Sequence, residues 1–285
     1  MGNIIPNMET LKASGIEFNC LSSKEVNTIS YDKLRTSKSL DNFKINNFSS
    51  LGFLVVKNVI PEDDIIFARE KYFSLFKNGE YIKKENNWIH LRNHEDDHGC
   101  NDHPSRSFLN TEEFRKVISS KKLIKISKII LNSNNASLCP RMIVRSFSHL
   151  SKVCSPAHRD KEYFISPNPN NVATCWIPLG SVGANNGQII YLLDSHKEES
   201  YFNKIVKTKK VISSNLEKLS KSTGLQWYRP ILEKGDVLFH SLQIVHAAFD
   251  SSSDLPRLSI DLRFSSTVNE HDPRWSNSWR GDDGL

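Results

Sequence analysis

The run Gly235-Asp236-Val237-Leu238-Phe239-His240-Ser241-Leu242-Gln243-Ile244-Val245-His246 decides how this chain is read. A Gly-Asp pair suited to a turn opens it, and the β-branched, Leu and aromatic residues that follow favour a strand. A histidine closes it. On an unbulged strand His240, Leu242, Ile244 and His246 project from one face, so two imidazoles compete for any role there. Eleven residues beyond His246 comes Arg257-Leu258-Ser259-Ile260-Asp261-Leu262-Arg263-Phe264. Its Leu258, Ile260 and Leu262 alternate with Arg257, Ser259 and Asp261, the pattern of a strand with one apolar and one polar face. Arg257 and Ser259 share the polar face. A guanidinium fork beside a hydroxyl suits a carboxylate, which Arg binds through two parallel bonds and Ser through a third. A structural ion pair with Asp261 is the plainer alternative.

Upstream, Ala157-His158-Arg159-Asp160 places an imidazole and a carboxylate two positions apart, so an extended backbone sends both to one side. Alone the pair is a common one. With a second histidine from a neighbouring strand it becomes a two-histidine, one-carboxylate set, which covers one face of an iron ion and leaves the opposite positions open.

Working outward, the segments Pro140 to Phe147, Asn171 to Leu179, Gln188 to Leu193, Asp236 to His246 and Arg257 to Phe264 all read as strands separated by turn-forming clusters. Before them the pattern is helical. Gly52 to Lys57 predicts a short buried strand closed by Pro61. Glu62, Asp63 and Asp64 then suit the first turn of a helix, whose buried stripe is Ile65, Ile66, Ala68, Tyr72, Phe73 and Phe76, with Gly79 as its stop. A further helix is expected from Glu112 to Leu131. Helices first and strands later predict helices packed on one side of a β-sandwich or distorted barrel. The first 45 or so residues show no sustained period, and are expected to wrap the domain or fray.

These pieces, in this order and spacing, resemble the phytanoyl-CoA dioxygenase family of iron(II)/2-oxoglutarate oxygenases. The resemblance runs from Leu51 to Phe264 and is carried by Gly52-Phe53-Leu54-Val55-Val56, His158-Arg159-Asp160, Trp176-Ile177-Pro178-Leu179 with Asn186-Gly187, Asp194-Ser195-His196-Lys197, Gly235 to Phe239 with His246 beyond, and Arg257-Leu258-Ser259. It implies a mainly β fold with flanking helices around a double-stranded β-helix (a cupin-like jelly roll). It implies that His158, Asp160 and His246 hold Fe(II), that Arg257 assisted by Ser259 holds the distal carboxylate of 2-oxoglutarate, and that O2 is the oxidant. Trp176 and Thr174 share a strand face where the family lines the co-substrate pocket; plain core packing is their alternative. Two departures stand out. The spacing from His240 to His246 is one residue longer than the family's usual run, although the distance from His246 to Arg257 fits. Asp194 stands where a Pro-Gly turn is common. The carboxylate of Asp160, where related iron halogenases carry Gly or Ala, implies oxygenation of carbon, most simply hydroxylation of a small-molecule substrate. Desaturation or ring closure by the same chemistry, or a non-catalytic cupin-like binding protein, are the alternatives. The implied organisation is an N-terminal extension over residues 1–45, an oxygenase domain over 46–268 and a tail over 269–285.

Composition narrows the class. The chain has 285 residues, 38% hydrophobic and 25% charged, and a formal charge of +6 from 38 basic and 32 acidic residues. This is the profile of a globular domain, and the interleaving of acids with bases along most of the chain argues against a nucleic-acid surface. The densest basic stretch, Asn203 to Lys221, sets six lysines against Glu217 and is expected to be a surface insert or lid. Five cysteines without a CxxC pair suit reduced thiols. No run approaches a membrane span and the N-terminus lacks a signal-peptide pattern, so a cytoplasmic, unanchored protein is expected; oligomeric state is not legible. A rival metal cluster, His90, His94, Glu95, Asp96, Asp97, His98, Cys100, Asp102 and His103, matches no familiar zinc spacing and is expected to belong to the entrance loop.

Overall fold

The computed structural model describes residues 6–36, 48–77, 79–85, 87–91, 103–151, 154–164, 166–206, 210–267 and 273–278. Among them the strands are β1 (Asn7–Ala13), β2 (Ile16–Ser23), β3 (Thr28–Ser30), β4 (Phe53–Lys57), β5 (Tyr81–Lys84), β6 (Asn87–His90), β7 (Ser137–Leu138), β8 (Ile143–Phe147), β9 (Ala157–His158), β10 (Val172–Pro178), β11 (Ile189–Leu192), β12 (Val211–Ser213), β13 (Trp227–Pro230), β14 (Val237–Ser241), β15 (His246–Ala248) and β16 (Arg257–Ser265). One sheet runs β1-β2-β13-β11-β15-β9-β12. The other runs β3-β4-β14-β10-β16-β7, with β8 also on β16. β5 and β6 form a separate hairpin.

Strand alternation divides the apolar residues into layers. On β4, β10 and β14, the residues Phe53, Val55, Trp176 and Leu238 meet Ile189, Tyr191 and Tyr228 of the opposite sheet, while Leu54, Val56, Cys175, Val237 and Phe239 face away. That outward face is covered by the helices Glu62–Ser74, Pro104–Leu109, Glu112–Ile118 and Lys121–Ile130. Leu258, Ile260, Leu262 and Phe264 of β16 also point to the helices. The alternate residues of β16, Arg257, Ser259, Asp261 and Arg263, therefore lie between the sheets. The result is a double-stranded β-helix with helices on one flank, as the resemblance implies.

Three details differ from that reading. The helix expected over Glu112 to Leu131 is two helices, because Ser119 leaves helical geometry and Ser120 starts the second with ψ 117. Ile66, placed in the buried stripe, is 39% exposed. The residues before Thr28 contain the β1–β2 hairpin, which extends a sheet through parallel pairing of β2 with β13. At Gly235, φ is +85, and a Cβ there would sit 2.4 Å from the Ile60 carbonyl oxygen, so only glycine fits the turn that launches β14. Asp194 takes φ 61, the left-handed conformation that glycine supplies in a Pro-Gly turn. No helix among the described residues is long and apolar enough to cross a membrane.

Candidate active site

The strand expected over Asp236 to His246 is broken. β14 ends at Ser241, the chain turns through residues 242–245, and β15 begins at His246 in the other sheet. Leu242, Ile244 and Val245 are fully buried in this corner, so burial, not strand pairing, accounts for their apolar character. The turn takes up the long spacing between the two histidines, which face each other from opposite sheets with ring centroids 4.8 Å apart. β15 lies between β9 and β11, and His246 stands in register with His158 on one side and Tyr191 on the other.

His158 ends β9, and Asp160 opens a 3₁₀ turn directly after it. Arg159 between them is extended at φ −120, ψ 143, which keeps both side chains on one side as a strand would. The ligand-type atoms of His158, Asp160 and His246 all lie within 4.8 Å of one another. The His158 and His246 rings are 4.2 Å apart, and His246 Nε2 is 3.6 Å from Asp160 Oδ1. Each imidazole is oriented by its own backbone. Nδ1–H of His158 donates to the Pro156 carbonyl at 2.7 Å, and Nδ1–H of His246 donates to the Ile244 carbonyl at 3.2 Å. In this tautomer both Nε2 lone pairs are left for a ligand. Loss of solvent, reinforced by the neighbouring imidazole in each case, pushes the pKa of His158 down to about 3 and that of His246 down to about 4. Both are neutral, as metal coordination requires.

Asp160 uses its two oxygens differently. Oδ2 accepts from Thr174 Oγ1 at 2.5 Å, Arg263 Nη2 at 2.8 Å and His240 Nε2 at 3.3 Å. Oδ1 turns to His246. Burial alone would raise this carboxyl, but the Arg263 charge and the His240 bond outweigh it and hold Asp160 well below the usual carboxylate range. Because Oδ2 only accepts, His240 carries its proton on Nε2, leaving Nδ1 to accept from the Tyr191 hydroxyl at 2.9 Å. Burial keeps that phenol protonated. With both nitrogens engaged, His240 braces Asp160 and is not placed to act as a ligand. The sequence reading missed Arg263, although extending the β16 alternation from Arg257 and Ser259 by two more steps reaches it.

A cavity of about 240 Å³ opens beside these groups, and its lining includes His158, Asp160, His246, Trp176, Arg257 and Ser259. Arg257 is 4% exposed; its Nε has no hydrogen-bond partner among the described residues, and neither has the fully buried Ser259 Oγ. Its guanidinium carbon lies 4.5 Å from the Phe147 ring centroid and 5.6 Å from that of Trp176. Burial lowers its pKa to about 10. Asp261, weighed as its ion-pair partner, instead has Arg145 within 3.8 Å. Buried donors that no protein group satisfies are rare and mark a place for a ligand. Trp176 forms a wall of this cavity. Thr174, expected beside it in the co-substrate pocket, is not part of the lining; its hydroxyl is spent on Asp160.

Of the rival cluster, residues 94–102 lie outside the described residues. His90 bonds Ser148 and stacks on Tyr81, and His103 caps the helix Pro104–Leu109 by accepting from the Ser105 amide, so both are structural. Among the described residues His158, Asp160 and His246 form the one candidate metal group. In the lysine-rich stretch, Lys207 and Lys209 lie outside the described residues. β12 follows directly and pairs with β9, Val211 standing in register with His158. Lys210 lies over the Tyr163 ring at 5.1 Å.

Three converging side chains of metal-ligand type and an Arg–Ser pair with two buried polar atoms unbonded among the described residues line one cavity of a double-stranded β-helix. The chain belongs to the phytanoyl-CoA dioxygenase (PhyH) family, whose model matches residues 48–259. It is 23% identical over 231 residues to the peroxisomal phytanoyl-CoA dioxygenase of Mus musculus, covering 76% of this chain and 65% of that protein. Among solved structures it is similar in fold to the non-heme alpha ketoglutarate dependent epimerase SnoN from nogalamycin biosynthesis, with TM-score 0.56 and 15% identity over 80% of this chain and 82% of that one. The carbocyclase SnoK of the same biosynthesis matches with TM-score 0.54 and 15% identity over 81% and 85%. EvdO2 from Micromonospora carbonacea var. aurantiaca matches with TM-score 0.52 and 18% identity over 86% and 98%.

Proposed function

We propose that this protein is a cytoplasmic dioxygenase that hydroxylates a small-molecule metabolite, with 2-oxoglutarate converted to succinate and CO2. The observation that carries the reading is one cavity lined both by three side chains of metal-ligand type and by an Arg257–Ser259 pair whose Nε and Oγ have no hydrogen-bond partner among the described residues. In it, His158 Nε2, His246 Nε2 and Asp160 Oδ1 hold iron(II), while Arg257 and Ser259 hold the distal carboxylate of 2-oxoglutarate. Bound iron and 2-oxoglutarate together supply the oxidising power for reaction with O2. The protein's own part is placement. The backbone bonds of Pro156 and Ile244 fix the ring tautomers, and the three donors on Asp160 Oδ2 keep that carboxylate ionised with its other oxygen directed to the metal. Trp176 and Phe147 flank the guanidinium and exclude water from it, which strengthens its pairing with a carboxylate.

Anaerobic addition of iron(II) and 2-oxoglutarate tests the reading. A weak visible charge-transfer band, absent in His246→Ala, is expected, and succinate release across a metabolite panel then finds the substrate. A spectrum without that band, with both components shown to be bound, would favour a binding protein on the same barrel.

A further inference from the structure

The family match ends at residue 259, yet the structure places a residue from far beyond it in the wall of the cavity. Trp275, in the short turn Pro273–Ser276, is 3% exposed and lines the same cavity as Asp160 and His158. One face of its indole meets Arg263, whose guanidinium carbon is 4.9 Å from the ring centroid. Arg263 Nη2 is bound to Asp160, but its Nε and Nη1 have no hydrogen-bond partner among the described residues. A buried guanidinium with two unbonded donors is held in place by what packs on it, and an aromatic face attracts the cation as well as filling the space. Trp275 is itself fixed. It packs on Phe164 with centroids 4.9 Å apart, and its Nε1–H donates to the Tyr163 carbonyl at 3.3 Å. Arg274 donates to that same carbonyl at 3.2 Å, and the Tyr163 ring stands edge-on to His158 at 5.6 Å. The turn therefore touches the supports of two of the three ligands.

We propose that Pro273–Ser276 is a clasp that completes the metal site, with Trp275 a positioning residue that acts through Arg263 on the Asp160 carboxylate. The inference rests on the metal-site reading above. Its test uses cobalt(II) as the probe and reads affinity from the visible absorption of the bound ion in the full chain. Trp275→Leu restores most of the volume without an aromatic face, and should weaken cobalt binding about tenfold, as loss of outer support for a ligand does. Trp275→Phe keeps a face for Arg263 and should retain most of the affinity. The decisive comparison is with Arg263→Gln: if Trp275 works through Arg263, the Arg263→Gln, Trp275→Leu double variant binds cobalt as Arg263→Gln alone does. Additive losses, or equal affinities for the Leu, Phe and unmutated proteins, overturn the proposal. Should the Leu variant fail to fold, Trp275→Phe in the same cycle carries the test, since any loss it shows must vanish in the Arg263→Gln background. Unmutated protein that binds no cobalt overturns the metal-site reading, and the clasp with it.

Discussion

Replacing Arg257 with methionine should make the ligand-free protein more stable while abolishing its response to 2-oxoglutarate. The guanidinium is 4% exposed, its Nε has no hydrogen-bond partner among the described residues, and burial moves its pKa from 12.5 to about 10. At about 1.4 kcal/mol per tenfold change in proton affinity, the charged form costs the empty fold about 3 kcal/mol. The sign follows from the direction: a base with a depressed folded pKa is destabilising wherever it remains charged, which includes neutral pH. Methionine has similar reach and no charge to desolvate, but it loses the ring contacts with Phe147 and Trp176, each worth about 0.5–1 kcal/mol. The net gain is about 1–2 kcal/mol, in the range found when buried charges become apolar. At about 2 °C per kcal/mol for a chain of this size, Tm should rise by about 2–4 °C. Melting curves with manganese(II), with and without 2-oxoglutarate, check both halves. The unmutated protein should gain stability from 2-oxoglutarate and the variant should not. A variant that melts lower without ligand, or that 2-oxoglutarate stabilises as it does the unmutated protein, refutes the assignment of Arg257 to the co-substrate.

His158→Ala and His246→Ala should each eliminate cobalt(II) binding, whereas His240→Ala, which removes a brace and not a ligand, should bind about tenfold more weakly; isothermal titration would expose an inverted order. Thr174→Val removes a charge-assisted bond to Asp160 worth about 2 kcal/mol, so Tm should fall by about 4 °C with little change in the apparent affinity for 2-oxoglutarate. Neutralising Lys207 and Lys209 should leave metal and 2-oxoglutarate binding intact, and salt-dependent retention of DNA or RNA by the unmutated protein, lost in that variant, would contradict the small-molecule reading. With Asp160 in place, products formed in chloride or bromide should carry labelled oxygen from O2 and no halogen by mass spectrometry.

Runs of β-branched, Leu and aromatic residues between turn clusters were legible, which is why β10, β11 and β16 appear close to where the sequence puts them. The reading failed where burial came from a corner and not from strand pairing. Leu242, Ile244 and Val245 look like strand residues because a buried corner and a buried strand select the same side chains, and no local pattern separates the two. The β1–β2 hairpin was hidden for the opposite reason: it buries only Leu11, Ala13, Phe18, Cys20 and Ser22 on its inner side, and two of these are small and one is polar. In the candidate site, the His158–Asp160 pair and two candidate histidines, His240 and His246, were visible in residue type and spacing, and the resemblance favoured His246. The distinction between His240 as ligand and as brace was not visible, because it depends on which sheet each histidine joins. Trp275 was beyond reach, since nothing in a Trp within a polar tail marks what it packs against.

The placement of β16 ties these observations together. Its outward residues belong to the core beneath the helices, and that packing fixes the strand rigidly. Its inward residues reach both halves of the cavity: Arg257 and Ser259 stand at the end proposed for the co-substrate, and Arg263 holds Asp160 at the end proposed for the metal. β10 lies beside it in continuous register, Pro178 opposite Ser259 and Thr174 opposite Arg263, so Trp176 joins the first pair of inward groups and Thr174 the second. Two adjacent strands thus set the distance between the Asp160 carboxylate and the Arg257 guanidinium, the groups proposed to hold the metal and 2-oxoglutarate. A register slip of one residue on either strand would turn these groups to the opposite face. The apolar alternation of Leu258, Ile260, Leu262 and Phe264 resists that slip, so the core pattern of β16 also specifies the geometry of the site.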